Sequence, residues 1–393
     1  MNRSHRIKPD LFSPNEMNTK TVLIVGAGMS GVTCGLRLQS MGHDVLLLDK
    51  GRSLGGRMAT RRISSSLSGP EATDEPSLAD HGAQFFTASS PEFRRAVAVW
   101  QRNAWVDVWC DGFLPHPSVD GRPRHIASGG MNALVKQMAV NLDVQVNERV
   151  SSLHCKAGRW QIETESAASH QADAVVLTSP VPQSLDLLQG VKLRDPDQQA
   201  LRRIAYDPCV CLLIDLSESP AFVEGAGPLP PLLSMPPLPP LPQPGGLQVK
   251  ASPLDWIADN QNKGISPRSV LTVHADAAFS QEHYTAEDQV VRDALLPAVA
   301  DALNGSRSGL SAELKGTDAA QTLQALENLS EEQVQVKRWK FSKPNTLHPD
   351  RCLLADTELP LVFAGDAFGG AKVEGAFLSG EAAALALQSA FSS

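Results

Sequence analysis

Apolar positions along this chain follow two rhythms, and both occur side by side near each end. Thr21-Val22-Leu23-Ile24-Val25 is an almost unbroken apolar run, the pattern of a strand covered on both faces. From Ser30 to Met41, Val32, Leu36 and Leu38 return at roughly helical spacing, and Val45 to Leu48 forms a second run that ends on Asp49. Strand, helix and strand in that order predict a parallel βαβ unit. At the far end, Leu361 to Ala364 reads as a strand stopping at Gly365-Asp366, and Gly375 to Leu387 as the helix that follows. Between them, a helix after Gly130 and strands at 144–153, 160–165 and 174–178 return the chain to the first unit. Runs at Cys209–Asp215 and Ser269–His274 predict strands of a second sheet.

Three stretches break these rhythms. Residues 1–20 are polar and contain proline, which predicts a partly disordered extension with neither a secretory signal nor a membrane anchor. Ile63 to Leu78 is rich in serine with several acids. Residues 225–246 alternate proline with leucine; proline neither donates to a ladder nor continues a helix, so an extended polyproline-type loop is expected. The expected layout is α/β. A Rossmann-like domain made of 21–79, 126–190 and 346–393 is interleaved with an α+β substrate domain, built on a mixed sheet, from 80–125 and 191–345.

Composition narrows the function classes. With 393 residues and 42% apolar content the chain is long enough for two cores. A formal net charge of −8, with no basic run, argues against nucleic acid as a partner. The six cysteines, Cys34, Cys110, Cys155, Cys209, Cys211 and Cys352, form no C-x-x-C pair and read as reduced thiols of a soluble, cytoplasmic protein; no metal site is suggested. Cys209 and Cys211 would share one face of a strand as core residues.

The glycines give the layout a chemistry. Val25-Gly26-Ala27-Gly28-Met29-Ser30-Gly31 sits between strand and helix, the context in which G-x-G-x-x-G binds a dinucleotide. Gly26 allows the tight turn, Gly28 lets backbone approach a pyrophosphate and Gly31 lets helix pack on strand, while Met29 and Ser30 open a helix whose N-terminus favours negative charge. Asp49 is placed to bind the adenosine ribose. Lys50 follows it, and Gly55-Gly56-Arg57-Met58 then adds a second glycine pair and a cation that can offer paired N–H donors to the pyrophosphate. An ordinary nicotinamide dehydrogenase has no need of that addition. At the other end, Asp366 can bond a ribityl hydroxyl, and the helix opening at Gly375-Ala376 can stabilise negative charge at the N1 and O2 edge of a flavin. If both ends grip one molecule, it is FAD.

Gly55-Gly56-Arg57-Met58, Asp80-His-Gly-Ala-Gln-Phe-Phe-Thr-Ala88, Gly129-Gly-Met-Asn-Ala-Leu134 and Val373-Glu-Gly-Ala-Phe-Leu-Ser-Gly380 form one ordered series. Together they resemble the renalase family, its bacterial branch in particular, from about Thr21 to the C-terminus. The resemblance implies an FAD-binding fold of the GR2 type with the flavin held non-covalently, in keeping with the lack of a cysteine beside Gly56 or Gly375. It also implies Val150 backbone near the adenine, and Gln84 and Phe85 beside the isoalloxazine, with Phe85 where a Tyr is common. Phe86, His274 and Trp339 are candidates for the substrate cavity, each with a core role as the alternative. The implied reaction takes hydride from 2- or 6-dihydro isomers of NAD(P)H directly to flavin N5, with no side-chain base, and passes electrons to O2 to give NAD(P)+ and hydrogen peroxide.

Two other readings stay open. A flavin amine oxidase or desaturase-like oxidoreductase shares the terminal motifs, but there are only two tyrosines, Tyr206 and Tyr284, and Ala367-Phe368-Gly369-Gly370 after Asp366 does not supply a paired aromatic cage. A non-catalytic flavin-binding interaction protein would use the proline-rich loop for a partner.

Overall fold

The apolar run Val22–Val25 is buried from both sides because its alternate residues enter different cores. The computed structural model describes residues 19–63, 76–113, 122–216, 241–249, 251–305 and 319–392. Nearly all of the extension 1–20, and most of the serine-rich stretch and of the proline-rich loop, lie outside them. Chain order begins with β1 (Thr21–Val25), α1 (Met29–Ser40) and β2 (Asp44–Asp49), with β1 and β2 parallel and Thr21 opposite Asp44. Next come the ladder of β3 (Thr60–Ile63) and β4 (Ser77–Asp80), then α2 (Pro91–Arg102), whose start is capped by the Ser90 hydroxyl accepting the Phe93 N–H. A second short ladder, β5 (Val106–Cys110) and β6 (Arg124–Ala127), leads to α3 (Met131–Met138) and β7 (Asp143–Val146).

The single strand expected over 144–153 is two strands. Asn147 takes a φ of +56°, a left-handed conformation that asparagine tolerates, and the chain leaves one sheet there and restarts as β8 (Val150–Lys156) in another. With β9 (Arg159–Thr164) and β10 (Ser169–Ala172) it forms a three-stranded antiparallel sheet, and β11 (Ala174–Leu177) then pairs with β1. After α4 (Val181–Asp186) and α5 (Asp195–Arg202) come β12 (Tyr206–Asp215), β13 (Gly246–Gln248), β14 (Leu254–Asp259) and β15 (Val270–Ala275). The helices α6 (Ala277–His283), α7 (Asp288–Gly305) and α8 (Ala319–Glu327) precede β16 (Val334–Pro344), and β17 (Leu353–Ala355), β18 (Leu361–Phe363) and α9 (Val373–Phe391) complete the order.

The first sheet runs β17-β18-β11-β1-β2-β7, parallel except for the β17 edge; the second runs β13-β14-β15-β12-β16 and is antiparallel. Val22 and Ile24 face α1, α3 and α9, whereas Leu23 and Val25 face Trp160 and Ile162 of the three-stranded sheet. Each such aliphatic side chain contributes about 1.5–3 kcal/mol of gross burial free energy, which is why the run tolerates no polar residue. The helix α2, expected with the substrate domain, instead lays Phe93, Val97 and Trp100 into the α1/α9 core, because those three positions form one helical stripe. In the second sheet Val210, Leu212 and Ile214 meet Val291, Leu295 and Val299 of α7. Cys211 packs with Leu213 on the opposite face, and burial pushes the neighbouring Cys209 thiol up to about 12, so it is a packing residue. No helix of the described residues is long and apolar enough to cross a membrane.

Candidate cofactor and active site

At the end of β1, Gly26 turns the chain out of the sheet at a φ of +108°, and its N–H donates to Leu48 O at 2.8 Å. A Cβ on Gly31 would lie 2.0 Å from the Gly26 carbonyl oxygen, so the first turn of α1 can rest there only as glycine. In front of Gly28 the space is open, with Gly55 O at 3.9 Å the nearest atom to a Cβ placed there. The Gly55 N–H donates to Ala27 O at 3.0 Å, which lays Gly55-Gly56-Arg57 against the first turn. No side chain caps α1, and the Ser30 hydroxyl in its first turn is 5% exposed and has no partner. Free helix N–H groups, an orphaned hydroxyl and open ground before Gly28 make a cradle suited to an anion.

Asp49 braces this cradle from β2. Its Oδ2 accepts the Ala27 N–H and its Oδ1 the Gly51 N–H, each at 2.7 Å, and the carboxylate retains lone pairs for a further donor. Lys50 Nζ donates to Gln183 Oε1 at 2.9 Å. The N–H groups of Asn147 and Glu148 donate to Gly51 O and Asp49 O, so the buried Val150 starts β8 beside the same turn.

The C-terminal motif closes on the N-terminal one. Arg57 Nη2 donates to Asp366 Oδ1 at 2.6 Å, joining residues 309 positions apart, and the guanidinium lies 5.8 Å from the Tyr206 ring centroid. Burial pushes the Asp366 carboxyl above its ordinary value against the pull of Arg57. The Tyr206 hydroxyl accepts the Val181 N–H, and burial raises that phenol to about 12. The Gly365 N–H donates to the buried Ser379 hydroxyl at 2.8 Å, and the N-terminus of α9 carries no side-chain cap. A Cβ on Gly375 would lie 2.0 Å from Gly370 O, so that glycine seats the helix on the preceding turn, and the Ala376 N–H donates to Lys372 O. Glu374 turns away to α2, accepting the Ser90 N–H at 2.6 Å and the Ser89 N–H at 3.1 Å. Burial pushes its carboxyl up, but these serine bonds outweigh burial and hold it below its ordinary value.

Asp80, at the end of β4, joins β3, α3 and the loop that carries Lys263. Its Oδ1 accepts from the Thr60 hydroxyl at 2.5 Å and from the Met131 N–H at 2.8 Å, and its Oδ2 accepts from Lys263 Nζ at 2.6 Å. Both charged side chains are essentially unexposed, and burial pulls the Lys263 ammonium below its ordinary value while Asp80 opposes that pull. His81 stacks on Trp339 with ring centroids 5.1 Å apart, and its carbonyl accepts the Trp339 indole N–H at 2.9 Å and faces His274 Nε2 at 3.3 Å. Burial drives both imidazoles down to about 4, so they stand neutral at pH 7. The Ala83 N–H donates to Arg57 O, which ties this segment to the second glycine pair, and Gln84 lies buried behind it. Phe85 joins Trp109, Phe113 and Trp256 in a cluster of four rings. Phe86 is 3% exposed and packs on Phe93, Trp100 and His125, a core position rather than a cavity wall.

A model of the family described as flavin-containing amine oxidoreductases matches residues 111–387, well over half of the chain. The chain belongs to that family. A model of an NAD(P)-binding Rossmann-like domain matches residues 24–102. Mouse renalase (Mus musculus) is 28% identical over 200 residues, which make up 47% of this chain and 55% of that protein, so the chain spans about half the length of that relative. An L-amino acid oxidase of Cerastes cerastes is 49% identical over 45 residues, 12% of this chain and 9% of that one. Among solved structures, one described as a protoporphyrinogen oxidase, from Exiguobacterium sp. 255-15, superposes with a TM-score of 0.59 at 13% identity over 95% of this chain and all of that one. Wild-type putrescine oxidase bound to putrescine gives 0.55 at 12% identity over 94% and 99%. At these identities the superpositions speak for the fold.

In this member of the flavin-containing amine oxidoreductase family the donor set fits a flavin dinucleotide: a cradle for a diphosphate, a carboxylate beside it, and an uncapped helix reached from the other end of the chain. Contacts link Gly26–Gly31, Asp49, Gly56, Arg57, Asp366 and the α9 N-terminus, and through Ala83 and His81 they reach His274 and Trp339. Asp80, His81, Lys263 and the rings around Phe85, those of Trp109, Phe113 and Trp256, are additions that sequence reading did not single out. Asp80 and His81 sit inside a quoted motif and were within reach; Lys263 lies in a polar loop and carries no sequence signal.

Proposed function

We propose that the chain binds FAD non-covalently and oxidises 2- or 6-dihydro isomers of NAD(P)H to NAD(P)+. In this reading the diphosphate lies before Gly28, flanked by Met29, Ser30, Gly56, Arg57 and Met58, with Asp49 and Lys50 toward the ribose and Val150 toward the adenine. Asp366 meets the ribityl chain, Gly365 lets it pass, and the first turn of α9 turns its positive end and the Gly375 N–H toward the N1 and O2 edge, with Ala376, whose own N–H is bonded to Lys372 O, packed beside it. Gln84 and Phe85 flank the ring system. The binding domain comprises 21–79, 126–190 and 346–393, and 80–125 with 191–345 supply the substrate side, α2 excepted.

Flavin held by these residues would supply a two-electron hydride acceptor, and with one further proton from solvent those electrons would reduce dioxygen to hydrogen peroxide. The protein's part is placement. His81 and His274, both neutral, and Trp339 form a wall that holds no fixed charge, and no side chain is required as a base because the donor ring becomes aromatic as hydride leaves. The observation that supports the choice of substrate is the partial occupancy of the aromatic cluster. Lys263 Nζ stands 5.3 Å from the Trp109 ring and the Arg124 guanidinium 5.9 Å from the Phe113 ring, so two of its four rings already carry a cation where a protonated amine would sit. A neutral dihydropyridine suits that environment better than an ammonium.

Oxygen uptake, peroxide and chromatographed products, measured with each dihydro isomer, with ordinary NADH and with putrescine, test the proposal. NAD(P)+ and peroxide in equal amounts from the 2- or 6-isomers are expected; turnover of the amine alone would replace it with an amine oxidase.

A further inference from the structure

Gln84 is 7% exposed, and its amide is fixed in one orientation. Nε2 donates to Asp80 O at 2.6 Å and to Gly82 O at 3.1 Å. Both partners are carbonyl oxygens that can only accept, so the amide cannot turn over without setting oxygen against oxygen. Its Oε1 is buried and has no partner. The surrounding backbone leaves little room to adjust. Asp80 is tied to Lys263, Thr60 and α3, the Ala83 N–H is bonded to Arg57 O, and a Cβ on Gly82 would lie 2.0 Å from that same oxygen.

A rigid, buried acceptor without a donor is costly unless a ligand completes it. We infer that Gln84 Oε1 is an acceptor reserved for an N–H of a planar amide in the bound ring system. Two sources carry that chemistry, the imide N–H of the isoalloxazine and the primary amide of a dihydronicotinamide; the second rests on the function proposed above. Gln84 is then a specificity residue, since a site built to accept an N–H rejects an analogue that lacks it.

The test has two arms. In the first, apoprotein is titrated with FAD and with FAD methylated at the imide nitrogen, which needs no turnover. In the second, flavin reduction is timed with dihydronicotinamide isomers and with their acetylpyridine counterparts, which keep the carbonyl and lose the N–H. Wild-type protein should disfavour the N–H-deficient probe by about 10- to 100-fold in one arm, equivalent to about 1.4–2.8 kcal/mol. Gln84→Met should abolish that preference. Gln84→Glu should retain the preference at low pH, where a protonated carboxyl can donate to Asp80 O and leave its other oxygen as the acceptor. Thermal unfolding of each apoprotein checks that the variants fold. Equal treatment of both probes in the first arm, together with equal treatment or no turnover at all in the second, overturns the inference, as does discrimination that survives in a folded Gln84→Met protein. Failure of the dinucleotides to reduce the flavin while the first arm discriminates would count against the proposed substrate and leave Gln84 as a flavin contact.

Discussion

At Asp49 one carboxylate closes two turns, accepting from the amides of Ala27 and Gly51. Asp49→Ala should therefore cost about 2–4 kcal/mol of stability even without cofactor, as two charge-assisted bonds lose their acceptor, and should also release flavin. Thermal unfolding of apoprotein and flavin content after gel filtration check the two effects separately; full flavin occupancy would count against a ribose contact. Lys263 and Asp80 pose a harsher case, because the pair is unexposed and removing one partner leaves a bare charge. Lys263→Met should destabilise by about 3–5 kcal/mol, and adding Asp80→Asn should recover part of that loss in urea unfolding. The roles of Gly26 and Gly31 were legible in the sequence, since the turn and the close contact follow from the motif itself. The Asp80–Lys263 pair was not, because its partners lie 183 residues apart and nothing local to Lys263 announces that it is buried.

Helices α1 and α9 bring their first turns to the same region, and they can do so because they pack closely. A Cβ on Gly380 would lie 2.3 Å from Ser30 O. Gly380→Leu should push α9 off α1 and weaken flavin binding at least ~10-fold, as both helix N-termini lose their aim; an unchanged dissociation constant in apoprotein titration would show that the contact is not needed. Elements with a clear period, such as β1, α1, β2 and α9, could be read from the chain, within a residue or two at the first three. The break at Asn147 and the docking of α2 could not. The first depends on one left-handed residue inside an apolar stretch, and the second on which core offers room for Phe93 and Trp100, a tertiary matter.

Across the whole molecule, half-buried neutral histidines couple stability to pH. His81 and His274 have ordinary values of 6.5 and stand near 4 in the folded chain, so the unfolded chain binds more protons between those limits. Stability should be unaffected by these groups above pH 6.5, fall as pH drops toward 4 and level off below. Urea unfolding across that range should show a shallower slope for His274→Asn than for wild type, and equal slopes would mean that His274 is not held neutral by its surroundings. The same neutral wall, set beside aromatic rings that already carry Lys263 and Arg124, underlies the central claim that the donor is a neutral dihydronicotinamide. Anaerobic bleaching of the flavin's long-wavelength absorbance tests it most directly, with separate mixing of the 2- and 6-dihydro isomers, ordinary NADH and an aliphatic amine. The account predicts rapid bleaching by one or both isomers, reversed by air with peroxide formed, and little by NADH or the amine. Bleaching by the amine with none by the isomers would contradict it.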